Sequence, residues 1–134
     1  MGHAPAPVVA RDPEWFLRET LRRWSGRAEP LAEEAIAEYA RCFCDPAVIH
    51  ASCEDYRAAA GIDLVHDAAD GDARVECPLL VLWGEHGAMH RLHDVLDTWR
   101  SLARDVRGRP LPCGHFLPEE APAQTTAALV EFLA

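Results

Sequence analysis

The sequence predicts an α/β chain with two segments: a helical segment over residues 1–72, then a strand, helix, strand, helix (βαβα) unit over residues 73–134. Three observations carry this reading. Apolar residues recur at helical spacing through the first segment. The run Leu79-Leu80-Val81-Leu82-Trp83 is continuously apolar and ends at Gly84, as a strand buried in a parallel sheet would. A second short strand, Val106 to Leu111, is closed by Pro112-Cys113-Gly114 and followed by a final amphipathic stretch.

In the helical segment, helix starts are marked by acid–proline pairs. Asp12-Pro13, Glu29-Pro30 and Asp45-Pro46 each place a capping or dipole-favouring acid before a proline suited to the first helical turn. The first helix runs through Trp15, Phe16, Leu17, Leu21 and Trp24 and stops at Ser25-Gly26. The second puts Leu31, Ile36, Tyr39, Ala40 and Phe43 on one stripe, and the third carries Ile49, Cys53 and Tyr56 on one side. In the βαβα unit a helix is expected over about His90 to Ala103, with Leu92, Val95, Leu96, Trp99 and Leu102 inward. A last helix, about Glu120 to Leu133, is expected to bury Ala128, Leu129, Phe132 and Leu133.

Strand, helix, strand in this length is a parallel unit with a right-handed crossover. Two strands alone do not make a stable, doubly covered parallel sheet. Either a second copy covers the apolar strand, giving a homodimer, or the chain belongs to something longer. The second reading is preferred.

The chain has 134 residues, enough for one modest domain, and a net charge of −9. No basic stripe is present to displace counterions from phosphates, so nucleic acid is not expected as a partner, and neither is an anionic membrane surface. No apolar run approaches the length of a membrane span, and the opening residues lack a signal-peptide pattern. The five cysteines, Cys42, Cys44, Cys53, Cys77 and Cys113, are an odd number and suggest free thiols in a reducing cytoplasm. Cys42-x-Cys44 is not a zinc spacing, and a buried helix face accounts for it better.

In open α/β sheets, ligands gather beyond the carboxyl ends of the strands. Two loops lie there: Gly84-Glu85-His86-Gly87 and Gly114-His115-Phe116-Leu117-Pro118. A histidine directly after a final strand and before a terminal helix is where an α/β-hydrolase holds its general base, last in chain order.

The segment Gly114-His115-Phe116-Leu117-Pro118-Glu119-Glu120-Ala121-Pro122 closely resembles the catalytic-histidine motif of fluoroacetate and haloacetate dehalogenases. Cys53-Glu54-Asp55-Tyr56-Arg57-Ala58 resembles a cap segment of that family, and Leu82-Trp83-Gly84 and Trp99 also match. The resemblance runs from about Asp12 to Leu133. It implies the carboxyl-terminal part of an α/β-hydrolase fold, a helical cap segment over 1–72 followed by the βαβα part of the core over 73–134. It further implies hydrolytic dehalogenation of a small haloacid. An aspartate displaces the halide to form an ester, and a histidine activates the water that hydrolyses it. No cofactor and no metal are expected.

Carried over by residue, the resemblance makes His115 the base and Tyr56 the cap tyrosine that donates to the halide. Trp24 takes a substrate-side place with less support, and packing explains it as well. The nucleophile, triad acid, carboxylate-binding arginines and cap His-Trp pair have no counterpart, and the chain is expected to begin just after that pair. No Gly-x-(Ser/Asp/Cys)-x-Gly elbow occurs in the sequence. Many α/β-hydrolases keep the acid a few residues after the strand ending in Trp-Gly, where this chain has Gly87. Dehalogenases of this type also lack an aspartate there. Glu85 is a conceivable substitute, but a solvated loop residue is the plainer account.

The plainer readings elsewhere are as follows. Tyr56 would be a core tyrosine with a backbone partner. Asp55 would pair with Arg57 or cap a turn. His86, His90 and His93 would share one helical face at i, i+4 and i+7, yet no acidic support for a metal is evident. Glu33, Glu34 and Glu38 form a solvated face. Sibling chemistries stay open: epoxide hydrolysis, haloalkane dehalogenation, or a non-catalytic remnant that keeps a pocket.

Overall fold

The computed structural model describes residues 6–26 and 31–134, the side chains of residues 6 and 7 aside. Glu29-Pro30 therefore lies outside the described residues. The elements in order are α1 (Ala6–Val9), α2 (Pro13–Trp24), α3 (Glu33–Phe43), α4 (Pro46–Ala59), α5 (Ile62–Asp70), β1 (Leu79–Gly84), α6 (Ala88–Leu92), α7 (Val95–Leu102), β2 (Val106–Leu111), α8 (Leu117–Glu120) and α9 (Pro122–Leu133). The chain divides into two compact units. One comprises Met1–Thr20 and Ala32–Asp72; the other comprises Leu21–Leu31 and Ala73–Ala134.

The first unit is helical, and two acid–proline starts work as their chemistry predicts. The Asp12 carboxylate accepts from the Trp15 N–H at 3.1 Å, one residue before α2 begins at Pro13. Asp45 accepts from the Ala47 N–H at 2.8 Å and caps α4, with Pro46 in its first turn. The helix α3 has no side-chain cap, but Glu33 and Glu34 stand in its first turn, where the macrodipole favours negative charge. Val9, Ile36, Ala40, Ile49 and Cys53 are buried, and Phe16 stacks on Phe43 with centroids 6.3 Å apart. The Arg18 guanidinium bridges Glu14 and Glu33, at 2.9 and 2.7 Å. Arg57 pairs with Glu54, not Asp55.

In the second unit β1 and β2 pair in parallel, Leu79 opposite Val106 through Gly84 opposite Leu111. A bridge between Val75 and Ala103 extends the pairing at one end. The tightest core of this unit is Leu111, Cys113 and Ala121, with Leu82 and Leu117 packed against it.

Several expectations fail, each for a physical reason. The helix expected over His90 to Ala103 is broken: His93 is extended (φ −137°, ψ 148°), and Asp94 caps a new helix by accepting from the Asp97 N–H at 3.0 Å. The long final helix is likewise preceded by a separate turn, because Pro122 starts α9 afresh. Leu92, Trp99 and Leu102 are exposed, as are Leu129 and Leu133. Two strands present too little surface to cover every apolar helix face. Cys42 and Cys44 are exposed rather than on a buried face, because the buried stripe of α3 runs through Ile36 and Ala40. Among the described residues, no helix is long and apolar enough to cross a membrane.

Candidate functional site

The site lies in the second unit, where β1 and β2 end side by side. Because the strands are parallel, the loops that follow them emerge at the same end. The backbone stitches these loops together. The Glu85 N–H donates to the Leu111 carbonyl at 2.8 Å, and the His86 N–H donates to the Cys113 carbonyl at 3.0 Å. The contact is close enough to require glycine. A Cβ on Gly84 would fall 2.6 Å from the Gly114 carbonyl carbon, and one on Gly114 would fall 2.6 Å from the Ser25 carbonyl carbon.

His115 stands on this platform with its side chain exposed. Its N–H donates to the Trp24 carbonyl at 3.0 Å. Its ring meets the Trp24 ring edge to face at 4.9 Å, and the Phe116 ring at 5.2 Å. Two of the three predicted site residues, His115 and Trp24, are thus brought together. Both lie in the second unit.

Tyr56 belongs to the first unit, on α4. Its side chain is 67% exposed, so it is not the core tyrosine of the plainer reading. The three histidines weighed as metal ligands do not share a helical face. His86 precedes α6, His93 follows it, and the His90 Nδ1 accepts from the Trp83 indole N–H at 3.0 Å. Among the described residues, no group of three or more His, Cys, Asp or Glu side chains is placed to hold a metal.

Sequence reasoning missed Glu120. It is 1% exposed, whereas its neighbour Glu119 is half-buried. Glu120 Oε2 accepts from the Gly26 N–H at 2.8 Å and from the Gly114 N–H at 2.9 Å; Oε1 accepts from the Phe116 N–H at 3.0 Å. Burial alone would raise its pKa. The three backbone donors and the Ser25 side chain outweigh that and hold it below the ordinary carboxylate value. Its one sequence signal was its place five residues after the base, beside a proline-started helix.

Chemically, the arrangement offers the exposed imidazole of His115 at the mouth of a parallel strand pair, walled by an indole and a phenyl ring, with exposed His86 on the adjoining loop.

No protein-family model matches the sequence. The chain is 38% identical over 130 residues to a fluoroacetate dehalogenase from a Burkholderia species, an alignment covering 96% of this chain and 43% of that protein. It is 29% identical over 130 residues to a soluble epoxide hydrolase from Corynebacterium sp. strain C12, covering 95% and 44%. A candidate α/β-hydrolase structure from Nostoc sp. PCC 7120 superposes with a TM-score of 0.95 at 52% identity, over 100% of this chain and 46% of that one. A candidate acyltransferase structure from Salmonella enterica superposes with a TM-score of 0.92 at 46% identity, over 96% and 43%. The chain spans less than half the length of the relatives it matches.

Proposed function

We propose that this chain, which has the fold of the carboxyl-terminal part of an α/β-hydrolase and is similar in sequence to fluoroacetate dehalogenase, is the base-bearing part of a hydrolase that removes halide from a small haloacid. The observation that carries this reading is the placement of His115. It sits exposed beyond the carboxyl end of β2, beside the loop that follows β1, with its backbone tied to Trp24.

In this account an aspartate outside the 134 residues attacks the halogen-bearing carbon. A carbon–oxygen bond forms, the carbon–halogen bond breaks, and halide leaves with the bonding pair. His115 then takes a proton from water. The hydroxide adds to the ester carbonyl, and the alkyl oxygen departs with the proton that the imidazolium returns, giving the hydroxy acid and, on loss of a proton to solvent, the free aspartate. The triad acid also lies outside the chain, because Gly87 holds the place after β1. Trp24 walls the imidazole, and Tyr56, exposed on α4, is assigned to the departing halide. Water and side chains suffice, so no cofactor is assigned. Residues 1–72 are assigned to the cap and 73–134 to the core.

Epoxide hydrolysis is the second reading, supported by the 29% identity to an epoxide hydrolase. It uses the same ester and the same base. One experiment separates the readings: join this chain to the remaining portion of the Burkholderia fluoroacetate dehalogenase and supply fluoroacetate and a simple epoxide. Fluoride release is expected. Diol without fluoride would favour the epoxide reading, and a folded fusion giving neither would leave a non-catalytic remnant.

A further inference from the structure

We infer that Glu120 is a positioning residue whose carboxylate holds His115 and Trp24 against each other, by closing the loop that carries one onto the turn that follows the other. The inference rests on the reading of His115 as the working base.

Three consecutive N–H groups, those of Gly114, His115 and Phe116, lie in the segment between β2 and α8. The outer two donate to Glu120, at 2.9 and 3.0 Å, and the middle one donates to the Trp24 carbonyl at 3.0 Å. On the other side, Gly26 donates to the same Glu120 oxygen at 2.8 Å, and Ser25 adds its side chain. Glu120 thereby reaches Gly26, 94 positions away, with the same oxygen that holds Gly114. A buried carboxylate is costly without partners, and buried N–H groups are costly without acceptors. Here each offsets the other. The His115 ring packs edge to face on the rings of Trp24 and Phe116, and the backbone on either side of it is held by Glu120. Removing the anion would release Gly26, Gly114 and Phe116 together and let the two rings separate.

The test is NMR on the full chain, comparing wild type, Glu120→Gln and Ser25→Ala. In wild type, the Gly26, Gly114 and Phe116 amide protons are expected downfield, with a cross-relaxation contact between the His115 and Trp24 rings. Glu120→Gln should move all three amides upfield and abolish the ring contact, leaving the amides of Glu33–Phe43 in place. Ser25→Ala, which leaves the buried backbone untouched, should move the same amides in the same direction by a smaller amount and weaken the contact. It keeps the question decidable if Glu120→Gln does not fold. A merely structural glutamate would lower the melting temperature of a folded Glu120→Gln chain without altering the ring contact, and that result would overturn the inference. So would a Ser25→Ala chain with unchanged amides and contact. The readout needs no turnover. An inactive fusion would sink the proposed function and leave this result standing, while an intact contact in the variants would do the reverse.

Discussion

His115 and Trp24 hold each other twice: the His115 N–H donates to the Trp24 carbonyl at 3.0 Å, and their rings meet edge to face at 4.9 Å. Only the second contact depends on the Trp24 side chain. Trp24→Ala should therefore leave the turn in place while freeing the imidazole. An edge-to-face pair contributes about 0.5–1.5 kcal/mol beyond area burial, so a stability loss of that order is expected in urea denaturation. In a fusion that releases fluoride, kcat/KM should fall roughly tenfold, about 1.4 kcal/mol.

Gly114 packs backbone against backbone on the Ser25–Gly26 turn, where a Cβ would fall on the Gly26 nitrogen. Neither side can yield without breaking the Glu120 contacts. Gly114→Ala should cost about 3 kcal/mol or more. Gly71, with φ 57° and open space around it, provides the control. Gly71→Ala meets only backbone strain and should cost about 1 kcal/mol. Equal losses in denaturation of the two variants would contradict the packing argument.

Glu120 titrates below the ordinary carboxylate range when folded, because its backbone donors and Ser25 outweigh the effect of burial. Its contribution to stability is therefore present above the unfolded pKa, about 4.3, and is lost as pH falls through the lower folded value. Wild type should lose stability on acidification below about pH 4.3. Glu120→Gln should start less stable at neutral pH and show a flatter acid limb. Identical acid limbs would show that the carboxylate carries no linkage. The folded carboxylates of Glu33 and Glu38 are also lowered, by hydrogen bonds from Arg18 and Arg41, but these pairs are solvent-exposed and screened, so their acid response should fade in high salt.

Leu92, Trp99, Leu102, Leu129 and Leu133 are exposed around a sheet of two strands. Apolar surface of this kind associates. The 134-residue chain alone should form dimers or larger assemblies at micromolar concentration in sedimentation experiments. A monomer with a single cooperative melt would mean that these faces need no cover.

Much of this was legible in the sequence. Helical spacing around Ile36, Ala40, Ile49 and Cys53 marked the side chains that became buried, and Asp12 and Asp45 announced their helices through ordinary capping chemistry. His115 could be placed because a parallel strand pair sends its following loops to one end. Other features were illegible for specific reasons. Asp94 looks like a helix-interior residue until it caps a new start. Leu92 and Leu133 are apolar by composition, but composition does not say whether a neighbour exists to cover them. Glu119 and Glu120 are the same residue type side by side, and only the fold decides which is buried. The tie from the His115 N–H to the Trp24 carbonyl runs through main-chain atoms, which leave no signature in side-chain pattern.

His115 is proposed to activate the water that opens an ester formed by a nucleophile outside this chain. The most direct measurement is a single-turnover reaction of fluoroacetate with the fusion carrying His115→Gln, followed by mass spectrometry of the protein. The expected result is about one equivalent of fluoride per protein, an alkylated aspartate that persists, and continued turnover only in the His115 parent. A His115→Gln fusion that keeps turning over at the parent's rate, with no trapped ester, would contradict it.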